Sequence, residues 1–482
     1  MAAGRERGQA LDLMIEGRNQ FDSRVAAIEV GAMSYDESSP RKIGEALKRI
    51  GGMLGWATDE RGPLGQVIER GVKVVIKPNF VMHENGGPGG MPPLLTHQSL
   101  VRAATEAALL ADPAEVLVGD APIQGCDFDL LLKNAELDQW SRQLQHQDSR
   151  FKGIRDFRRT VATFVDGVRI ADENVQSEDH FVLFDLADQS LLEPITGDNP
   201  SFRVTCYDPR LMAKTHAPGC HRYLIAREIL EAQVIVNLPK LKTHQKAGIT
   251  CALKNLIGIN GNKEYLPHHR IGGLELGGDC YPGSSDLKRA LEFIHDRQNM
   301  TKSHAAGRIW RTAANQFYRL LRLKGDEFGI EGSWSGNDTI WRTCLDLNRI
   351  LLYGTPQGMM AEEVQRRVIH ITDAIVAGQG KGPLSPEPLP LGLIVAGANA
   401  AAVDWIGAHL LGYSPENIPI VREALGTFRW PLTSFTRRDI RLLGDLGEGV
   451  ADEVLKHRSS EPISYPAGWR DAAHSRASQP IP

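Results

Sequence analysis

The chain has 482 residues, 42 % of them apolar and 24 % charged, with 55 Lys and Arg against 59 Asp and Glu and a formal charge of −4. These near-average values exclude a chain that is disordered throughout, and the balance of charge excludes a general nucleic-acid binder, which would carry a strong basic excess. The length suits roughly two to four domain-sized units, or one large α/β domain with insertions.

The opening stretch MAAGRERGQALDLMIEGRNQ has no apolar signal core, and no run of about 18 apolar residues occurs anywhere, so neither a secretory signal nor a membrane span is expected. Cys126, Cys206, Cys220, Cys251, Cys280 and Cys344 form no C-x-x-C pair. That spacing excludes a ferredoxin-type cluster run and the common zinc ribbons, and the cysteines are too sparse for a disulfide scaffold. A soluble, reduced, cytoplasmic protein is expected.

Residues 1–69 read as an N-terminal extension packing on a core. The first part of that core spans 70–284. Val72–Ile76 and Glu115–Val118 are short Val- and Ile-rich runs of the kind that form strands buried on both faces, and residues 97–111 between them predict a helix with Thr96 as N-cap. Residues 140–210 read as a polar excursion with short strands of its own. Residues 222–232 (RYLIAREILEA) predict a helix leading into a third run, Gln233–Val236. Residues 285–335 form a basic helical insertion. The second part of the core, 336–425, carries the runs Val368–Ile371 and Leu393–Val395. Residues 426–482 form a C-terminal extension and a loose tail. Alternation of strands and helices predicts an α/β fold: a mostly parallel central sheet with helices on both faces.

The residues that follow the runs carry the chemistry. The first run ends in Lys77-Pro78-Asn79, the second in Gly119-Asp120, the third in Asn237-Leu238-Pro239-Lys240-Leu241-Lys242-Thr243-His244, and the fourth reaches Asp373 and then Gly378-Gln379-Gly380-Lys381-Gly382. Open parallel sheets bind ligands beyond the carboxyl ends of their strands, so these groups converge if the strands are neighbours; ordinary loop polarity is the alternative. From Ala232 to Lys263 there are five lysines and no acid, with His244, Thr250, Asn255 and Gly258 among them. Such a field suits a phosphate or carboxylate, or lysines with lowered pKa, against the alternative of a solvated basic face. The Gly378–Gly382 string is either an anion-binding turn or a hairpin connection, and matches neither the P-loop nor the dinucleotide fingerprint. Asp338, Arg342 and Asp346 stand at helical spacing, as a surface ion-pair ladder or a pocket wall, behind a cap at Asn337–Thr339. His268, His269, Asp279 and Cys280 show no strong metal spacing, and no metal ligand is assigned. From Arg297 to Lys324 there are seven Lys or Arg and no acid, with an apolar stripe. This element is either an interfacial helix or a packed helix with a basic outer face.

The strings VNLPKLKTHQKAGITCALKNLIGINGNKEYLPHH, IKPN, GDAP, GNDTIWRTCLDLNRIL, DAIVAGQGKGP and AAVDWIGAHLLGY resemble the domain of unknown function 362 family over roughly residues 70 to 415. Lys77, Asn79, Asp120, Lys240, Lys242, His244, Lys254, Asn255, Asp373, Gly380 and Asp404 stand at the matching positions. The resemblance implies an uncharacterised α/β protein and no fixed activity. Many members carry added ferredoxin-type cysteine motifs, which this chain lacks. The layout is also similar to the N-terminal part of nickel-pincer lactate racemases, as architectural analogy alone.

The expected protein is an enzyme for an anionic small molecule. In it Lys77, Lys240, Lys242 and Lys254 hold phosphate or carboxylate, and His244, Asp120 or Lys254 moves a proton. Asn79 and Asn255 orient the ligand, and Asp373, Gly380 and Asp404 complete the site. The sequence names no cofactor and no reaction. The competing expectations are an accessory protein, touching a membrane or a biosynthetic complex through residues 297–324, and a redox-associated protein. No nucleic-acid partner is expected.

Overall fold

A computed structural model describes residues 19–31, 34–199, 201–326, 329–456 and 462–474. Its centre is one sheet of eleven strands: β1 (Arg24–Glu29), β2 (Lys73–Pro78), β3 (Glu115–Asp120), β4 (Phe151–Asp156), β5 (Val234–Leu238), β6 (Lys240–His244), β7 (Gly248–Thr250), β8 (Arg367–Lys381), β9 (Ser385–Gly397), β10 (Arg441–Gly444) and β11 (Gly449–Val450). The order is β11-β10-β1-β9-β8-β5-β2-β3-β4, with β6 pairing β8 and β7. Strands β8, β5, β2, β3 and β4 run parallel, while β9 is antiparallel to both of its neighbours. The expected mostly parallel α/β sheet is therefore present.

The helices that position the site are α1 (Ser39–Leu54), α2 (Gln98–Leu110), α3 (Ala252–Asn255), α4 (Asp286–Met300), α5 (His304–Leu323), α6 (Ile340–Tyr353) and α7 (Ala400–Leu410). Successive strand residues point to opposite faces. Val74 and Ile76 of β2 pack with α1 and α2, and Val75 packs into the core on the other side with α6 and α7. Both faces are covered, which is why these strands read as unbroken apolar runs rather than as alternations.

Several elements depart from the sequence reading. Residues 19–69 are not a mere covering, because β1 lies inside the sheet between β10 and β9. The polar excursion expected at 140–210 gives β4 to the sheet edge before its hairpin, Thr160–Val165 with Val168–Asn174, departs. Residues 222–226, expected as the first part of a helix over 222–232, belong instead to a strand, Cys220–Ala226, paired with Phe181–Asp185, and helix follows only at Arg227–Glu231. Tyr223, Leu224 and Ile225 are all buried, which a strand covered on both faces allows and a helical stripe does not. The helix cap expected at Thr96 is His97, whose Nδ1 accepts from Ser99 N. Thr96 Oγ1 instead accepts from Asn79 N at 2.9 Å and donates to Leu238 O at 2.5 Å, tying the ends of β2 and β5 together.

The expected cap before α6 is present, with Asn337 Oδ1 accepting from Thr339 N and Ile340 N at 3.0 Å each. The ladder behind it is broken. Arg342 pairs with Asp338 at 3.1 Å, but Asp346 is buried, accepting from Ser190 Oγ, Tyr223 Oη and Arg349 Nη1. Within the tail expected to be loose, residues 457–461 and 475–482 lie outside the described residues. The stretch between them is docked: Trp469 is buried and its indole N–H donates to Gln245 O at 2.6 Å.

Candidate functional site

The polar residues that follow the strands meet at the C-terminal edge of the parallel half of the sheet. His370, Asn237 and Lys77 share one register row across β8, β5 and β2. Asn237 Nδ2 donates to Ala252 O at 3.0 Å and lies 3.0 Å from His370 Nδ1, and Asn255 Nδ2 donates to Asn237 Oδ1 at 2.7 Å. A chain of buried amides thus fixes α3 over the sheet. Asp404 of α7 holds the other end of α3, its carboxylate accepting from Ala252 N at 2.6 Å and from Leu253 N at 3.3 Å. Burial pushes the Asp404 pKa up to about 7.

Two lysine–aspartate pairs line this edge. Lys77 Nζ lies 2.6 Å from Asp120 Oδ1, with both side chains buried. Lys77 also donates to Pro78 O at 3.0 Å and Asn255 Oδ1 at 3.1 Å, and Asp120 accepts from Phe80 N at 2.6 Å and Ala121 N at 2.9 Å. Burial outweighs the attraction of Lys77 and pushes Asp120 up to about 6. Lys240 Nζ lies 2.8 Å from Asp373 Oδ2, its register partner on β8. Tyr35 Oη joins this pair, accepting from Lys240 at 2.9 Å and donating to Asp373. The Tyr35 ring stacks on His97 at 3.6 Å, and His97 N donates to Asp373 Oδ2 at 2.9 Å.

The remaining cations are not matched in this way. Lys242 is fully buried and, among the described residues, donates only to Leu94 O, and burial, then Lys240 and Lys254, push its pKa well down. Lys254 is 7 % exposed, and among the described residues its ammonium makes neither a hydrogen bond nor an ion pair. Burial lowers its pKa, and Lys246 and Lys77 lower it further. His244 is buried and held neutral, first by burial and then by Lys254 and Lys242. Its Nδ1 accepts from Lys246 N at 3.0 Å and Ala247 N at 3.1 Å, so the ring proton sits on Nε2. Asn79 Oδ1 and Thr250 Oγ1 are buried with no partner among the described residues, and Thr250 faces Lys242 in the β6–β7 register.

The fold therefore brings together Lys77, Asn79, Asp120, Lys240, Lys242, His244, Lys254, Asn255 and Asp373. It sets Gly380 apart. Gly380 lies at the far end of the long β8–β9 hairpin, its N–H donating to Ser464 O and its carbonyl accepting from Thr243 Oγ1, so the glycine string is a hairpin connection with its amide occupied. Asp404 holds α3 from behind rather than facing the lysines. Tyr35, His97 and Asn237 escape the sequence reading as site residues. Asn237 carried a signal, being the polar residue that directly follows its run. Tyr35 and His97 carried none, because only the fold stacks them. Among the described residues no group of three or more His, Cys, Asp and Glu side chains is placed to hold a metal, and no helix is long and apolar enough to cross a membrane.

The model of the domain of unknown function DUF362 matches residues 155–409, more than half of the chain. The chain belongs to the DUF362 family. The match includes Lys240, Lys242, His244, Lys254, Asn255 and Asp373, whereas Lys77, Asn79 and Asp120 lie before it. A thylakoid-associated protein of Synechocystis sp. is 22 % identical over 256 residues, covering 48 % of this chain and 56 % of the relative, so this chain spans about half the length of that relative. A crystal structure of a Thermotoga maritima protein aligns over 77 % of this chain and 59 % of its own, at 11 % identity and a TM-score of 0.30.

Proposed function

We propose that this DUF362 protein binds a small phosphate- or carboxylate-bearing molecule at the edge formed by β2, β3, β5, β6 and β8, and transforms it by proton transfer. The observation that carries this reading is the mismatch of charge: Asp120 and Asp373 answer Lys77 and Lys240, and among the described residues no carboxylate pairs with Lys242 or Lys254. A buried ammonium without a counter-charge costs several kcal/mol, and an anionic ligand removes that cost. The unpartnered Asn79 Oδ1 and Thr250 Oγ1 accept from its hydroxyl or amino groups. Burial lowers the pKa of Lys254, so its ammonium gives up a proton more readily than a solvated one, while the neutral His244 ring offers its Nε2–H as a hydrogen-bond donor. Asp120, engaged on both oxygens, holds Lys77 in place.

The test is calorimetry and thermal shift against a panel of phosphorylated and carboxylated metabolites, with the wild-type chain and Lys254→Met. The expected result is a ligand-dependent rise in melting temperature for the wild type and an affinity at least about tenfold weaker in the variant. Free Lys254→Met melts at the same temperature as the wild type or higher, because it removes an unpaired buried cation. Failure of every anion to stabilise the wild type, or unchanged affinity in the variant, refutes the reading.

A further inference from the structure

Helices α4 and α5 form a hairpin joined by residues 301–303, held by a small core of its own: Leu291, Ile294, Ala314 and Leu321. Those residues account for only one side of α5. Ile309, Leu320 and Leu323 fall at i, i+11 and i+14, along one line of the helix, and they are 70 %, 45 % and 84 % exposed. Phe293 on α4 is 52 % exposed, and its ring meets Trp310 of α5 edge-on at 6.4 Å, so an apolar strip runs across both helices. Its borders are basic. Arg297 lies over the Phe293 ring at 4.9 Å, and Arg297, Lys302, Arg308, Arg319 and Lys324 are exposed. No acid occurs between Arg297 and Lys324.

The combination narrows the occupant. A second copy of this surface would set arginines against arginines. A wholly apolar partner would leave the guanidinium groups without counter-charge. An anionic bilayer surface satisfies both halves: apolar side chains enter the boundary with the acyl chains, and Arg and Lys heads reach the phosphates. The packed-helix alternative from the sequence accounts for Leu321 and Ala314 but leaves Ile309 and Leu323 in water.

We propose that the α4–α5 hairpin docks this protein on an anionic lipid surface. The anion site at the sheet edge plays no part in this proposal. The experiment is co-sedimentation of the full chain with phosphatidylcholine vesicles, with and without phosphatidylglycerol, at low and high salt. Binding is expected only to the phosphatidylglycerol vesicles and weakens with salt. Ile309→Ser/Leu320→Ser/Leu323→Ser and, separately, Arg308→Glu/Arg319→Glu each reduce the partition coefficient at least about tenfold with no change in melting temperature, since every altered side chain is exposed. Four results overturn the proposal: no binding to anionic vesicles, equal binding to phosphatidylcholine alone, either folded variant binding like the wild type, or lipid-free self-association that the triple-serine variant abolishes. The lipid and salt dependence of the unaltered chain tests the proposal even where a variant fails to fold.

Discussion

Replacing Gly258 by Ala puts a methyl group where there is no room for one. A Cβ at that position falls 1.9 Å from Asp120 Oδ1, 2.7 Å from Lys77 Nζ and 3.0 Å from Asp120 Cγ. Ordinary contact needs about 3.5 Å, so the carboxylate must retreat by more than an ångström. It has no slack to do so, because Lys77 at 2.6 Å, Phe80 N at 2.6 Å and Ala121 N at 2.9 Å all hold it. The Gly258 backbone is equally fixed, since its carbonyl accepts from Ala121 N at 2.9 Å. Overpacking a tight interior costs about 1–3 kcal/mol, and a lost hydrogen bond to a charged group adds about 1.5–3 kcal/mol. The expected total is about 3–5 kcal/mol, read as a shift in the guanidinium unfolding midpoint at constant slope. The mechanism is checked in an Asp120→Ala background, where the obstructing oxygen is gone and the same glycine substitution costs less than about 1 kcal/mol. A cost below about 1 kcal/mol in the wild-type background, or the same cost in both, refutes the reasoning.

Three further outcomes follow from the same geometry. Asp404, whose folded pKa is about 7 against 3.8 for the ordinary side chain, contributes stability that is present in acid and lost as pH rises through 7. Unfolding of Asp404→Asn measured across that range therefore gains on the wild type between about pH 4 and 7, and a constant difference contradicts the assignment. Burial pushes His370 down to about 3, so its ring stays neutral in the folded chain, and NMR titration between about pH 5 and 8 shows no midpoint for it; a midpoint near 6.5 contradicts its burial. Trp469→Ala costs about 3–5 kcal/mol in chemical denaturation, because the indole is buried and bonded to Gln245 O; a cost near zero means that residues 462–474 do not dock.

The strands of the parallel half and the polar groups at their ends were legible because each run is short, rich in Val and Ile, and followed at once by Lys, Asn or Asp. A strand buried on both faces has only its end at which to place such groups. The lysine-rich segment was legible for a related reason, since five lysines without an acid are hard to place as structure alone. The strand at residues 222–226 was not legible because RYLIA followed by REILEA has the composition of a helix, and its pairing with Phe181–Asp185 is not a local property. Gly380 and Asp404 sit in strings that look like site motifs, yet each is engaged by a distant part of the chain: Ser464 in one case, the amides of α3 in the other.

Sequence by itself determined the fold class, the edge of the sheet at which the polar residues gather, and the local excess of positive charge. All three depend on residue type and spacing along a short stretch. Only the tertiary structure decided which lysines are answered. Asp120 and Asp373 are distant in sequence from Lys77 and Lys240, and the ion pairs exist because parallel neighbours bring their ends together. Tyr35 and His97 enter the site only by stacking across two segments that share no pattern. Charge balance within a buried volume is a sum over neighbours in space. The chain order lists the terms of that sum, and the fold chooses which of them are added.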